Sequence, residues 1–324
     1  MPLAIRLDES GPPSVLRAVE VEPVRPGAGE VWLEQAAIGV NYLDVTQRKG
    51  AVRIPMPSGI GLEAAGRVAE VGPEVANVKV GDRVVYALGP IGAYASGRIY
   101  PSDRLVRLPD AISFEDAAAI FFKGLTAQYL LKSTYPVRPG TVVLAYGAAG
   151  GVGQILAAWA RHLGATVIGV VSKEASVERA RAAGCSEVLI WGKGDLPAEV
   201  ARLAGGRKAD VVYDGVGKQT FETSLDCLRT RGTMVSIGAS SGTPDPVSVA
   251  TLNGKGSLFL TRPGLAHHIG EIAEYQGRAK DVLDAVTQGI IRPTIGTLLP
   301  LPEAIRAHEA LENRTAAGAI VLTT

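Results

Sequence analysis

TVVLAYGAAGGVGQILAAWA, Thr141 to Ala160, joins a run of strand-forming residues to a glycine cluster and then to an apolar-periodic helix. Glycines at such a turn let the backbone approach a ligand, and the first N–H groups of the following helix carry a partial positive charge. Strand, turn and helix in this order make a site for phosphate. A G-x-G-x-x-G fingerprint would place glycine at 148, 150 and 153. The chain has Ala148, Gly150 and Gly153, so the first position departs from it. A plain strand-to-helix connection is the alternative, and the surrounding pattern decides between them.

Downstream the pattern is regular. TVIGVVS, EVLIW, ADVVYDGV, GTMVSIGAS and SLFLTRP are near-continuous apolar runs, separated by helical segments that include KEASVERARAA and a helix expected to reach Leu228. Such alternation predicts βαβ units and a doubly wound parallel sheet covered on both faces. Gly164 and Gly184 fall where helix C-caps belong and need no ligand to explain them. The glycine turn therefore joins the first strand of an alternating block to its first helix, where a dinucleotide pyrophosphate would sit. The second strand ends at Ser172 and Lys173, where an acidic residue would favour a free ribose 2′-hydroxyl. A hydroxyl and a cation suit a 2′-phosphate, so the residues predict NADPH over NADH. The alternative for Lys173 is a solvated lysine at a helix start.

Working outward, residues 4 to 107 alternate β-formers with closely spaced Pro, Gly, Asp and Asn, as in VEVEPVRPGAGEVWLEQAAIGV and EAAGRVAEVGPEVANVKVGDRVVYAL. This predicts an antiparallel, barrel-like domain. Between these stretches, NYLDVTQRKGAVRIPMPSGIGLE carries prolines and glycines that preclude a long regular element, and reads as a functional loop. SFEDAAAIFFKGLTAQYLLK is helical, opened by a Ser113/Asp116 capping box, with a break into two helices expected at Gly124. The chain is helical again from Pro263 through Val286 and ends in a strand-like AGAIVLTT that is expected to return to the first domain.

At 324 residues two domains are the prior expectation. With 33 basic and 32 acidic residues, no broad nucleic-acid or membrane-surface footprint is expected. Cys185 and Cys227 are the only cysteines and lack CxxC spacing, which fits a reducing compartment without a cysteine-based structural zinc. The N-terminus has no signal-peptide pattern, and no apolar run reaches membrane-spanning length. The expectation is a soluble, cytoplasmic protein.

AIGVNYLD, GIGLEAAG, GDRVVYA, GAY, FFKGLT, AAGGVG, VVYDGVG, SLDCLRTRG and LTRP follow in this order over nearly the whole chain. As a set they resemble the zeta-crystallin-like quinone oxidoreductases of the medium-chain dehydrogenase/reductase superfamily. The resemblance implies a GroES-like substrate domain from residues 1–124 and 266–324, a Rossmann domain at 125–265, a cofactor cleft between them, and a homodimer paired through the edge strand SLFLTRP. It also points to what is missing. Where zinc alcohol dehydrogenases carry a cysteine and a histidine ligand, this chain has Asn41 and Leu62. A carboxamide and an alkyl chain cannot replace thiolate and imidazole, so no zinc is expected. Glu63 is then read as a buried carboxylate paired within its loop.

Reducing a quinone needs no such metal, because its conjugated carbonyls accept a hydride and delocalise the charge. By resemblance Asn41 lies beside nicotinamide and substrate, where its amide would donate to a developing oxyanion; a turn role is the alternative. Asp44 and Lys123 border the same cleft or form structural ion pairs. Tyr42 stacks on a flat substrate or fills core. For the cofactor, the resemblance puts Thr126 and Arg314 near the phosphates or nicotinamide ribose, and Gly150, Gly151, Val152 and Gly153 at the pyrophosphate. Gly215, Val216, Ile237, Gly238 and Ser240 would line the nicotinamide side. Ser176 and Trp191 stand where relatives often carry the lysine and tyrosine that hold the 2′-phosphate, which leaves Lys173 to substitute. Reduction of enones or alkenals is the alternative activity. A nucleotide-binding sensor or RNA binder is the non-enzymatic one, weakened by the balanced charge.

Overall fold

A computed structural model describes residues 1–313 and 315–324. Along the chain it divides into two compact units, Met1–Lys123 with Ile269–Thr324, and Gly124–His268.

The first unit opens with β1 (Leu3–Leu7), β2 (Arg17–Glu20) and β3 (Glu30–Val40), followed by a short helix α1 (Tyr42–Arg48). Next come β4 (Ser58–Gly59), β5 (Glu63–Val71), β6 (Arg83–Ala87), β7 (Gly97–Pro101) and β8 (Val106–Arg107). Helix α2 (Phe114–Tyr129) carries the chain into the second unit. Ser113 Oγ accepts the Asp116 N–H at 3.0 Å and caps this helix. The expected break at Gly124 does not occur. One interior glycine costs only about 1 kcal/mol, and Phe121 and Leu125 beside it are fully buried.

The second unit alternates strand and helix: β9 (Val142–Tyr146), α3 (Gly151–His162), β10 (Thr166–Val171), α4 (Val177–Ala182), β11 (Glu187–Ile190) and α5 (Leu196–Leu203). It continues with β12 (Ala209–Asp214), α6 (Phe221–Asp226), β13 (Leu228–Ser236), α7 (Val249–Gly254), β14 (Phe259–Thr261) and α8 (Leu265–His268). Strand order is β11-β10-β9-β12-β13-β14, and every pairing is parallel. This is the doubly wound 3-2-1-4-5-6 arrangement. All five residues of β9 are buried, as both covered faces require. Leu228 begins β13 where the sequence suggested a helix end.

The chain then adds α9 (Ile272–Thr287), β15 (Ile295–Pro300), α10 (Ala304–Glu312) and β16 (Ala319–Thr323) to the first unit. Strand β16 pairs antiparallel with β3, in a sheet ordered β15-β16-β3-β5-β6-β8 with β7 also on β3. Val31, Leu33, Ile38, Val68 and Val84 form the heart of its core. The fold is therefore a parallel α/β sheet plus a mainly antiparallel barrel-like unit. Among the described residues no helix is long and apolar enough to cross a membrane.

Candidate active site

The glycine turn follows β9. Gly147 has φ +62, a conformation open to glycine at no steric cost. Gly150 caps α3, donating its N–H to Gly147 O at 2.8 Å. A Cβ at Gly153 would overlap the Gly147 carbonyl and reach Ala148 Cα at 2.9 Å, so only glycine lets the helix start this close. Ala148, the departure from the fingerprint, is fully buried, and a Cβ on Gly169 of β10 would stand 2.8 Å from its methyl. The side chain gained at position 148 is thus accommodated by a glycine on the neighbouring strand. The first N–H groups of α3, on Gly151, Val152 and Gly153, have no intrahelical acceptor, and no acidic residue stands in the first turn. These features fit a pyrophosphate.

Ser172 and Lys173 are exposed just after β10, whereas Ser176 is buried. At the end of β12, Asp214 is fully buried, with no ion-pair partner among the described residues. Its carboxylate accepts the N–H groups of Val216 and Gly217 at 2.7 and 3.1 Å and the hydroxyls of Thr220 and Ser224, both at 2.7 Å. That latch shapes the turn from Gly215 to Gly217. The loop after β13 lies against it: Ser240 and Ser241 donate N–H groups to Gly215 O and Val216 O, and a Cβ at Gly238 would sit 2.7 Å from Gly215 O. Gly215, Val216, Ile237, Gly238 and Ser240 are thereby brought together at the carboxyl ends of adjacent parallel strands, where ligands of such sheets bind. Thr126 lies half-buried on α2. Arg314 lies outside the described residues.

The first unit carries a different chemistry. Asn41 ends β3's run into α1, and its side chain is held on both sides. Nδ2 donates to Glu63 Oε2 at 2.9 Å, and Oδ1 accepts from Lys123 Nζ at 2.9 Å. An ammonium only donates and a carboxylate only accepts, so the amide has one orientation. Glu63 is fully buried, also takes the Phe122 N–H at 2.5 Å, and lies 3.9 Å from Lys123 Nζ. Its partners lie mostly on α2 and at Asn41, rather than within its own loop. Burial pushes its carboxyl above the ordinary range, while Lys123, the Phe122 N–H and Asn41 pull it back. Gly39 makes the room, since a Cβ there would overlap Glu63 Oε2 and Ala118 O.

Asp44 is fully buried one turn into α1. Oδ2 accepts the Asn41 N–H at 2.8 Å and the Tyr94 hydroxyl at 3.0 Å. Burial pushes Asp44 up to about 7 despite those two bonds. The Tyr94 hydroxyl oxygen also meets His308 Nε2 at 3.1 Å. Neither Tyr94 nor His308 was singled out from the sequence. The only signals were Tyr94 within GAY and His308 as one of four histidines, on the buried face of an unforeseen helix. Tyr42 is 52% exposed, which excludes the core-filling alternative.

A zinc ion does not fit this cluster. Asn41 and Leu62 stand at the ligand positions, and the Glu63 carboxylate is occupied by Asn41, Phe122 and Lys123. Among the described residues no group of three or more His, Cys, Asp or Glu is arranged to hold a metal.

Residues 27–110 match the family model described as alcohol dehydrogenase GroES-like domain, and residues 151–268 match that of zinc-binding dehydrogenase. Quinone oxidoreductase 1 of Escherichia coli is 43% identical over 325 residues, covering 99% of each chain. A 2-haloacrylate reductase of Burkholderia is 42% identical over 330 residues, again with 99% of each covered. The crystal structure of Escherichia coli quinone oxidoreductase complexed with NADPH superposes with a TM-score of 0.95 at 43% identity, covering 99% of this chain and 100% of that one.

Proposed function

The chain belongs to the quinone oxidoreductases of the medium-chain dehydrogenase/reductase superfamily, and on that premise we propose that it is an NADPH-dependent quinone reductase working without zinc. The observation that carries this reading is the Asn41 carboxamide, locked between Glu63 and Lys123 where a zinc enzyme would hold a ligand.

Bound NADPH supplies a hydride from its nicotinamide. The protein's own groups bind, orient and stabilise. The N–H groups of Gly151, Val152 and Gly153 hold the pyrophosphate, and Lys173 with Ser172 meets the 2′-phosphate. The paired loops at Gly215–Val216 and Ile237–Ser240, braced by Asp214, hold the nicotinamide end, with Thr126 as a further contact. Asn41 Nδ2 has two hydrogens and gives one to Glu63; the second is the donor to the oxyanion that develops on the substrate. Lys123 adds a fixed positive charge beside it. Tyr42 supplies a flat, exposed face for the ring. Two chains associate through β14, the edge of the parallel sheet, where Phe259 is 62% exposed; sedimentation that returned a monomer would remove this part of the reading.

Reduction of an activated carbon–carbon double bond is a second reading, favoured by the 42% identity to a 2-haloacrylate reductase. NADPH oxidation followed over benzoquinones, naphthoquinones, enones and alkenals separates the two. Quinone turnover that collapses in Asn41→Ala is expected, and rapid enone turnover with none of any quinone would overturn the choice.

A further inference from the structure

Behind Asn41 the first unit buries a series of polar groups that the reaction as described does not use. Asp44, Tyr94 and His308 are all fully buried and touch in sequence, from the Asn41 N–H through Asp44 Oδ2 and the Tyr94 hydroxyl to His308 Nε2. Chemistry sets the direction of the bonds. An ionised Asp44 only accepts, so the single hydroxyl proton of Tyr94 is spent on it. His308 must then donate its Nε2–H to the Tyr94 oxygen, which makes it the neutral Nε2–H tautomer. Burial and the charge of Arg48 hold His308 down at about 3, consistent with a neutral ring. Bonds in such a series polarise one another and strengthen the last acceptor.

Burying this carboxylate is costly, and apolar packing would be the cheaper way to seat a short helix. The placement explains its retention. Asn41 and Asp44 form the two halves of a capping box at the start of α1, so the position of Asp44 sets that of Asn41. Tyr94 comes from a loop and His308 from α10, and the same helix makes a second tie to α1 through the ion pair of Glu312 with buried Arg48. Two elements distant in sequence thus clamp the one turn that carries the amide.

We propose that Tyr94 and His308 are positioning residues: bonded in series to Asp44, they hold its carboxylate against the Asn41 N–H and so keep the Asn41 carboxamide in the orientation set by Glu63 and Lys123. This rests on Asn41 acting at the reacting carbonyl, as proposed above. The charged and titratable groups facing Asp44 are Tyr94 and, through it, His308, with Glu63 on β5 and Lys123 on α2, while Arg48 acts on Tyr94 and His308.

Tyr94→Phe removes one oxygen and keeps the ring. Steady-state reduction of 1,4-benzoquinone by NADPH is expected to show kcat lowered about tenfold, the rate equivalent of one hydrogen bond to a charged group, with the KM for NADPH unchanged. Losing the donor raises the pKa of Asp44, so the acidic limb of the kcat profile should move to higher pH. His308→Leu should reproduce both effects. His308→Gln, which keeps an N–H donor, should restore them. In an Asp44→Asn background Tyr94→Phe should change kcat less than about twofold, because the groups act as a unit. A merely structural role would instead give multiplicative losses, no shift of the limb and no rescue by Gln, and that result overturns the inference. Asn41→Ala, measured alongside, separates the two levels. If it leaves kcat intact, the site assignment fails; if it abolishes turnover while Tyr94→Phe is silent, the positioning role alone fails.

Discussion

Asp44→Asn separates the cost of the buried carboxylate from its use. Burial raises the Asp44 pKa from 3.8 to about 7, so the folded chain keeps this proton well above the pH at which the unfolded chain releases it. The contribution of this group to stability is therefore greatest in acid and falls as pH rises through that window, the full loss being about 4 kcal/mol. A carboxamide has no such titration, and its oxygen still accepts the Asn41 N–H. Between about pH 5.5 and about pH 8.5 the natural chain should lose about 2 kcal/mol relative to the variant. His308 has the opposite sign: its lowered pKa makes it stabilising above the unfolded value of 6.5, with that stability lost as pH falls toward about 3. Its contribution is common to both proteins, and the difference between them isolates position 44. Urea denaturation read from the fluorescence of Trp32, which lies on β3 in the same unit, gives both stabilities. The variant should be the more stable protein at high pH and the slower enzyme. A stability difference independent of pH would refute the desolvation argument.

Gly153→Ala should weaken NADPH binding about tenfold or more by forcing the turn away from α3; a dissociation constant unchanged in fluorescence titration would contradict that reading of the turn. Lys173→Ala should lower the ratio of kcat/KM for NADPH over NADH about tenfold, since it removes a charge-assisted partner of the 2′-phosphate. An unchanged ratio would mean that the phosphate is held elsewhere.

Where the sequence misled, the cause is local and physical. Gly124 looks like a helix break, but the burial of Phe121 and Leu125 outweighs the propensity of one glycine. Tyr42 to Arg48 looks irregular because α1 has no apolar period; it is held by the capping box and by buried polar contacts of Asp44 and Arg48. Helix α10 and strand β15 lie between the helical segment that ends at Val286 and the strand-like AGAIVLTT, outside both sequence patterns. Ala148 seems to spoil the phosphate fingerprint until its neighbour on β10 is seen to be Gly169.

What the amino-acid order determined by itself was the alternation of buried strands and helices around Thr141–Ala160, the antiparallel character of the first hundred residues, and the absence of cysteine and histidine at positions 41 and 62. Each of these is carried by composition and period over short spans, where local packing requirements leave a readable trace. Only the tertiary structure decided how Asn41 is held. Glu63, Lys123, Tyr94 and His308 come from four separate segments, up to His308 near the far end of the chain, and nothing in the spacing of those segments marks them as partners. Hydrogen bonds between side chains depend on distance and direction in space, and those exist only once β3, β5, α2 and α10 are packed together.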